Sequence, residues 1–289
     1  MTKQEFAARL EAGPLIVDGA TGSNLIAAGM PRGVCTELWV LEHPEVLIKL
    51  QQDYVDAGSQ VLYAPTFQAN SISLQGQHVD RDAAELVRAL VPLSQRAAAG
   101  RALVAGDVST TGKLPAPHGS VAYEQLLDCY TEEISALAEA GVDLIVAETL
   151  LTTDEAMAIL DAAAGVCALP VLCSLTIEAD GSLLFGGNIF DAAADLESMG
   201  AAAVGVNCSV GPDQLESVIA GIADRVSVPV IAKPNAGMPE IQDDGRAVYS
   251  MDAVSFARHM RRLRDAGASV LGGCCGTTPD YIRAMCAAL

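Results

Sequence analysis

Short apolar runs alternate with longer amphipathic stretches along the whole chain, in a repeated strand-then-helix rhythm. The apolar runs predict strands at about 15–18 (LIVD), 60–64 (QVLYA), 102–106 (ALVAG) and 143–148 (DLIVAE). Four more fall at about 170–175 (PVLCSL), 202–207 (AAVGVN), 228–232 (VPVIA) and 268–272 (ASVLG). Helical spacing of apolar residues predicts helices at about 44–57, 82–99, 122–140, 153–165, 191–199, 212–223, 252–265 and 278–287. Glycines 58, 100, 141, 200 and 267 follow helical stretches, where a left-handed residue ends a helix and turns the chain. Eight strand-then-helix units with crossover helices imply an α/β protein of the (β/α)8 TIM-barrel class. An open doubly wound sheet would show related alternation. No Pro/Gly/Ser-rich linker interrupts the pattern, so one barrel domain is expected over residues 1–289. The two longest connections, 19–43 and 233–251, both follow strands, on the rim where such barrels place their active sites.

Composition sharpens this picture. Hydrophobic residues make up 51% of the chain but aromatics only 4%, an aliphatic profile suited to buried parallel strands. The net charge of −19 argues against nucleic acid and anionic membrane surfaces as partners. No apolar run reaches the roughly twenty residues a membrane span needs. The first ten residues, with Lys3, Glu5 and Arg9, lack the apolar core of a secretion signal. Eight cysteines in such a chain then point to a cytoplasmic protein with reduced thiols, not a disulfide scaffold.

The candidate chemistry lies in three of those cysteines. Cys208 follows the sixth predicted strand, in GVNCSVGP, and Cys274 and Cys275 follow the eighth, in LGGCCGTTP. A barrel carries all three to one rim, although they are far apart in the chain. Three converging thiolates suit Zn2+, a borderline-soft ion that favours tetrahedral sulfur sites, and leave a fourth position for substrate. Gly272, Gly273 and Gly276 relax the backbone around the pair. Thr278-Pro279 supplies an N-cap and a first-turn proline for the last helix. The chemistry such a site supports is thiol alkylation, because a free thiol is mostly protonated at neutral pH and zinc removes that proton. Cys35, Cys129, Cys167, Cys173 and Cys286 read as ordinary packed residues.

At these residues the chain resembles the homocysteine S-methyltransferase family. The matching blocks run in order: DGATGSNL (18–25), PEVLIKLQQDYVDAG (44–58), TFQAN (66–70), GVDLIVAET (141–149), GVNCSVGP (205–212), PNAGMP (234–239) and GGCCGTTPDYI (272–282). The resemblance implies zinc on Cys208, Cys274 and Cys275, with the homocysteine sulfur as the fourth ligand. It also implies that Asp18 and Glu148 hold the substrate ammonium, which suits two carboxylates at strand ends. Asn207 and the backbone of Gly19, Ala20 and Ser209 are further expected substrate contacts. GGCCGTTP is similar to the homocysteine-binding module of cobalamin-dependent methionine synthase, whereas S-methylmethionine-using members usually carry arginine where Gly276 stands.

The expected activity is therefore zinc-dependent methyl transfer to homocysteine, giving methionine. The donor is expected to be methylcobalamin on a separate corrinoid protein, or a small onium compound such as S-methylmethionine or betaine. The alternatives are a different thiol acceptor, or a non-catalytic zinc module that docks a corrinoid partner. Departures from the family pattern are GDVSTTG (106–112), which lacks the usual Gly-Pro, and Trp39, placed to cover the substrate or to pack the first long loop.

Overall fold

A computed structural model describes residues 1–242 and 247–289. Ten strands occur among them. They are β1 (Leu15–Ile16), β2 (Val61–Tyr63), β3 (Leu103–Val108), β4 (Leu144–Leu150), β5 (Val171–Leu175), β6 (Ala203–Cys208), β7 (Val230–Pro234), β8 (Pro239–Ile241), β9 (Ala247–Tyr249) and β10 (Ala268–Leu271). Eight form one parallel sheet in the order β1-β10-β7-β6-β5-β4-β3-β2, and β8 and β9 form a separate antiparallel hairpin. A parallel bridge between Val17 and Val61 joins the two ends of that sheet. The Gln60 N–H donates to the Ile16 carbonyl at 2.7 Å, and the Ile16 N–H donates to Gln60 Oε1 at 2.9 Å. The sheet thus closes into the expected (β/α)8 barrel.

The strands read as continuous apolar runs because each buries both faces. Leu15, Val17, Val61, Ala105, Val146, Leu172, Ala203, Ile231 and Val270 fill the barrel interior as one cluster. The alternate positions, such as Ile16, Leu62, Val104, Ile145 and Val204, pack outward against the helices. Helix Ala83–Ala98 is representative. Asp82 caps it by accepting from the Glu85 N–H at 2.8 Å, and its buried stripe is Leu86, Val87, Leu90 and Val91. Truncating fully buried Leu90 to alanine costs about 2–5 kcal/mol. At the end of helix Pro44–Ala57, Gly58 takes φ +116°, the left-handed turn expected there.

Several elements were not anticipated from periodicity. Helix Lys3–Glu11 begins with a capping box between Thr2 and Glu5, and its Phe6 plugs the barrel floor. Helices Gly22–Ala27, Thr36–Glu42 and Ser71–Gly76 are too short to show a period. The stretch expected as one helix at 212–223 splits into a 3-10 turn, Pro212–Gln214, and helix Glu216–Ala223. The first long connection therefore carries two helices, and the second carries the β8–β9 hairpin; its residues 243–246 lie outside the described residues. Among the described residues, no helix is long and apolar enough to cross a membrane.

Candidate active site and metal centre

Side chains on a strand alternate between faces, so the inward set continues every second residue. Following it toward the strand C-termini, Ala105 gives way to Asp107, Val146 to Glu148, Leu172 to Ser174 and Ile231 to Lys233, with Asn207 on the same parity as Ala203. All five polar residues are buried. The apolar barrel interior thus ends in a polar, charged layer beneath the mouth.

The charges in that layer are unevenly matched. Lys233 Nζ donates to Glu148 Oε2 at 3.1 Å and lies 4.5 Å above the Tyr63 ring. Asp18 Oδ2 accepts from the Tyr63 N–H at 2.8 Å. Asp18 Oδ1 and Asp107 Oδ1 are buried with no hydrogen-bond partner among the described residues. Burial pushes the Asp18 carboxyl up to about 7 even against the pull of Lys233. Burial also raises Asp107 and Glu148, where Lys233 again opposes it. Burial works against the Lys233 ammonium, but Glu148 and then the Cys274 sulfur outweigh it and hold its pKa above the usual lysine range.

Asn207 ties three strands together behind this layer. Its Oδ1 accepts from the Thr149 N–H at 2.7 Å and Ser174 Oγ at 2.9 Å, while its Nδ2 donates to Thr149 Oγ1 at 2.7 Å and Glu148 Oε2 at 3.3 Å. Thr149, Cys208 and Ser209 sit at φ +59°, +58° and +55°, a left-handed region costly for residues with a Cβ. The Asn207 bonds hold Thr149 there. Ser209 Oγ accepts from the Ile177 N–H at 2.8 Å and donates to the Asn207 carbonyl at 3.0 Å.

Cys208 ends β6, and Cys274 and Cys275 lie in the loop after β10. The Cys274 N–H donates to the Pro234 carbonyl at 2.7 Å and the Ala236 N–H to the Cys275 carbonyl at 2.9 Å, which stitches the β7 and β10 loops together. The three sulfurs lie within 4.8 Å of one another. A tetrahedral zinc site with Zn–S bonds of about 2.3 Å spaces its sulfurs by about 3.8 Å, so this cluster needs only small adjustments to grip an ion. Hydrogen bonds from Cys208, then Cys274, hold the Cys275 thiol down at about 3, while donation to both partners pushes Cys208 up. Buried Asn235, in the adjacent β7 loop, has an Oδ1 without a partner among the described residues. Three soft thiols are a fitting donor set for a thiophilic dication.

The surrounding glycines are demanded by space. A Cβ on Gly272 would stand 2.3 Å from Val17 Cγ2, and one on Gly276, at φ +81°, would stand 2.3 Å from the Tyr249 ring. The room that a side chain at 276 would use is therefore taken by Tyr249. Pro279 does open the last helix, but Thr278 makes no side-chain cap bond.

Asp18, Gly19, Ala20, Glu148 and all three cysteines line one cavity of about 320 Å³, at the low end of the roughly 300–1,000 Å³ usual for ligand sites. Asn207 and Ser209 are not in its wall; their side chains support it from behind. The Ala20 N–H is already committed to Thr277 Oγ1 at 3.1 Å. Trp39 packs against the core and stacks on His43 at 4.3 Å, so it serves the first loop and does not face the cavity. Asp107 and Lys233 line the cavity but do not stand out in the sequence. Strand parity would have found them, since each lies two residues beyond an inward apolar position.

The sequence profile of the homocysteine S-methyltransferases matches residues 15–289. The chain belongs to the homocysteine S-methyltransferase family. Within it, the chain is 30% identical over 303 residues to the methionine synthase of Mycobacterium leprae (strain TN), covering 95% of this chain and 24% of that protein. The methionine synthase of Mycobacterium tuberculosis (strain ATCC 25618 / H37Rv) is likewise 30% identical over 300 residues, with the same two coverages, 95% and 24%. The chain thus spans about a quarter of the length of these curated relatives. The metallated form of the homocysteine methyltransferase MmuM from Escherichia coli shares the fold, with a TM-score of 0.78 at 24% identity over 95% of this chain and 96% of that one.

Proposed function

We propose that this family member transfers a methyl group to the thiol of homocysteine, forming methionine, with Zn2+ held by Cys208, Cys274 and Cys275. The observation that carries this reading is the meeting of three sulfurs within 4.8 Å at the wall of a cavity that also holds buried carboxylates. A purely structural zinc site has no use for such acids, whereas an amino-acid acceptor brings an ammonium for them. The metallated form of MmuM supports a metal in this fold.

Zinc, when bound, lowers the pKa of the acceptor thiol and presents its sulfur as a nucleophile. The chain's own residues do the rest. The three cysteines fix the metal on two loops braced by main-chain hydrogen bonds. Asp18 receives the ammonium, with Glu148 beside it on the cavity wall, and Gly19 offers bare backbone toward the substrate carboxylate. Ala20 shapes the wall, while Asn207 and Ser209 hold the β4 and β6 termini in place. The buried setting excludes water and strengthens each of these contacts.

The methyl donor is a methyl-corrinoid carried by another protein or a small onium compound. The methionine synthase relatives favour the first. The filled space above Gly276 distinguishes the chain from members that place arginine there. Eight free cysteines suit a reducing cytoplasm.

The test is direct. Zinc-loaded protein is incubated with homocysteine and, in turn, methylcobalamin, S-methylmethionine and betaine, and methionine is measured. Methionine from one donor supports the reading. No methionine from any donor, with zinc and homocysteine both bound, leaves instead a module that only binds a thiol or docks a corrinoid partner.

A further inference from the structure

The acceptor capacity of the charged layer extends beyond the two carboxylates that the family resemblance points to. Glu148 Oε2 already receives Lys233 at 3.1 Å and Asn207 at 3.3 Å. That carboxylate has its counter-ion built in, since Lys233 is itself buried. Asp18 Oδ1 and Asp107 Oδ1 are left wanting, both buried, both without a partner among the described residues, and both on residues of the cavity wall. Three carboxyl groups crowd a single ammonium there, and burial holds them toward the protonated form until a further cation joins them. Unpaired buried carboxylates persist only where something offsets them.

We propose that Asp107, together with Asp18, grips the ammonium group of the acceptor and so selects amino-acid thiols over thiols that lack an amine. Lys233 in turn is a positioning residue that holds Glu148 beside this socket. The inference rests on the homocysteine reading above and adds to it a residue that stands outside the seven blocks of resemblance. An ammonium offers three donors in a compact head, and carboxylates on the wall of one cavity can give it charge-assisted hydrogen bonds. A thiol without the amine leaves both oxygens bare and gains nothing from them. Burial raises Asp107 above the ordinary carboxylate range in the absence of such a cation, consistent with a group that awaits one.

The test compares two ligands in two proteins. Zinc-loaded wild type and Asp107→Asn are titrated calorimetrically with L-homocysteine and with γ-mercaptobutyrate, the same thiol without its amino group. Wild type is expected to prefer homocysteine. Asp107→Asn is expected to shrink that preference by about tenfold or more, the scale of one charge-assisted hydrogen bond, and to leave γ-mercaptobutyrate within about twofold. Melting of the ligand-free proteins is a second readout. Asp107→Asn replaces an unpartnered carboxylate with a neutral isostere, so its Tm should equal or exceed that of wild type, whereas loss of a merely structural residue lowers it. Equal weakening of both thiols, or an undiminished preference for homocysteine in Asp107→Asn, overturns the inference while homocysteine methylation by wild type still stands. A wild type that binds γ-mercaptobutyrate but not homocysteine overturns the functional reading, and this inference with it.

Discussion

Lys233 and Asn207 pair in register on adjacent strands, and both donate to the same oxygen of Glu148, at 3.1 and 3.3 Å. Strand pairing alone aims them together, since register partners on neighbouring strands face the same side of the sheet. One supplies charge and the other geometry, and each has a separable consequence.

Lys233→Met should destabilise the protein by about 3–5 kcal/mol at pH 8, because it strands Glu148 as a buried charge without its partner. Adding Glu148→Gln should recover most of that loss. Urea unfolding of the single and double variants checks both, and a single variant within about 1 kcal/mol of wild type would show that the pair carries little.

Asn207→Ala removes four hydrogen bonds at once and releases Thr149 from its left-handed conformation. The expected cost is about 2–4 kcal/mol in chemical denaturation. Homocysteine affinity should fall as Glu148 loosens, with zinc content retained. Loss of zinc along with the affinity would place Asn207 in support of the metal loops instead.

Replacing Cys208, Cys274 or Cys275 singly with alanine should reduce zinc from about one ion per chain to near zero. The inner and outer barrel clusters do not depend on these sulfurs, so far-ultraviolet circular dichroism should hardly change. Elemental analysis beside the spectra decides it. Stoichiometric zinc in any one variant would remove that cysteine from the ligand set.

The Asp18 carboxyl gives a pH signature. Its folded pKa of about 7 lies above the ordinary value near 3.8, so the native state binds the proton more tightly than the unfolded chain. Its contribution to stability is present below pH 4 and is lost as pH rises to 7, by at most about 4 kcal/mol in the substrate-free protein. Asp18→Asn, which has no charge to bury, should therefore gain Tm relative to wild type between pH 5 and pH 8. A constant difference across that range would mean that the carboxyl is not raised.

Much of the fold was legible because eight apolar runs, each with a helix behind it, leave few arrangements other than a closed parallel sheet. The metal ligands were legible for a related reason: a vicinal cysteine pair and a third cysteine follow strands, and a barrel brings strand ends to one rim. Short helices such as Thr36–Glu42 escaped because fewer than two turns show no period. The N-terminal helix escaped because only Phe6 of its residues is buried.

What the chain order settled, then, was local alternation and the residues at strand ends, since both depend on neighbours a few positions apart. It could not say which carboxylate already has a counter-ion, or which asparagine braces a wall in place of touching a ligand. Those depend on distances between strands far apart in sequence. Lys233 meeting Glu148, and Asp107 Oδ1 left without a partner among the described residues, exist only once the barrel closes.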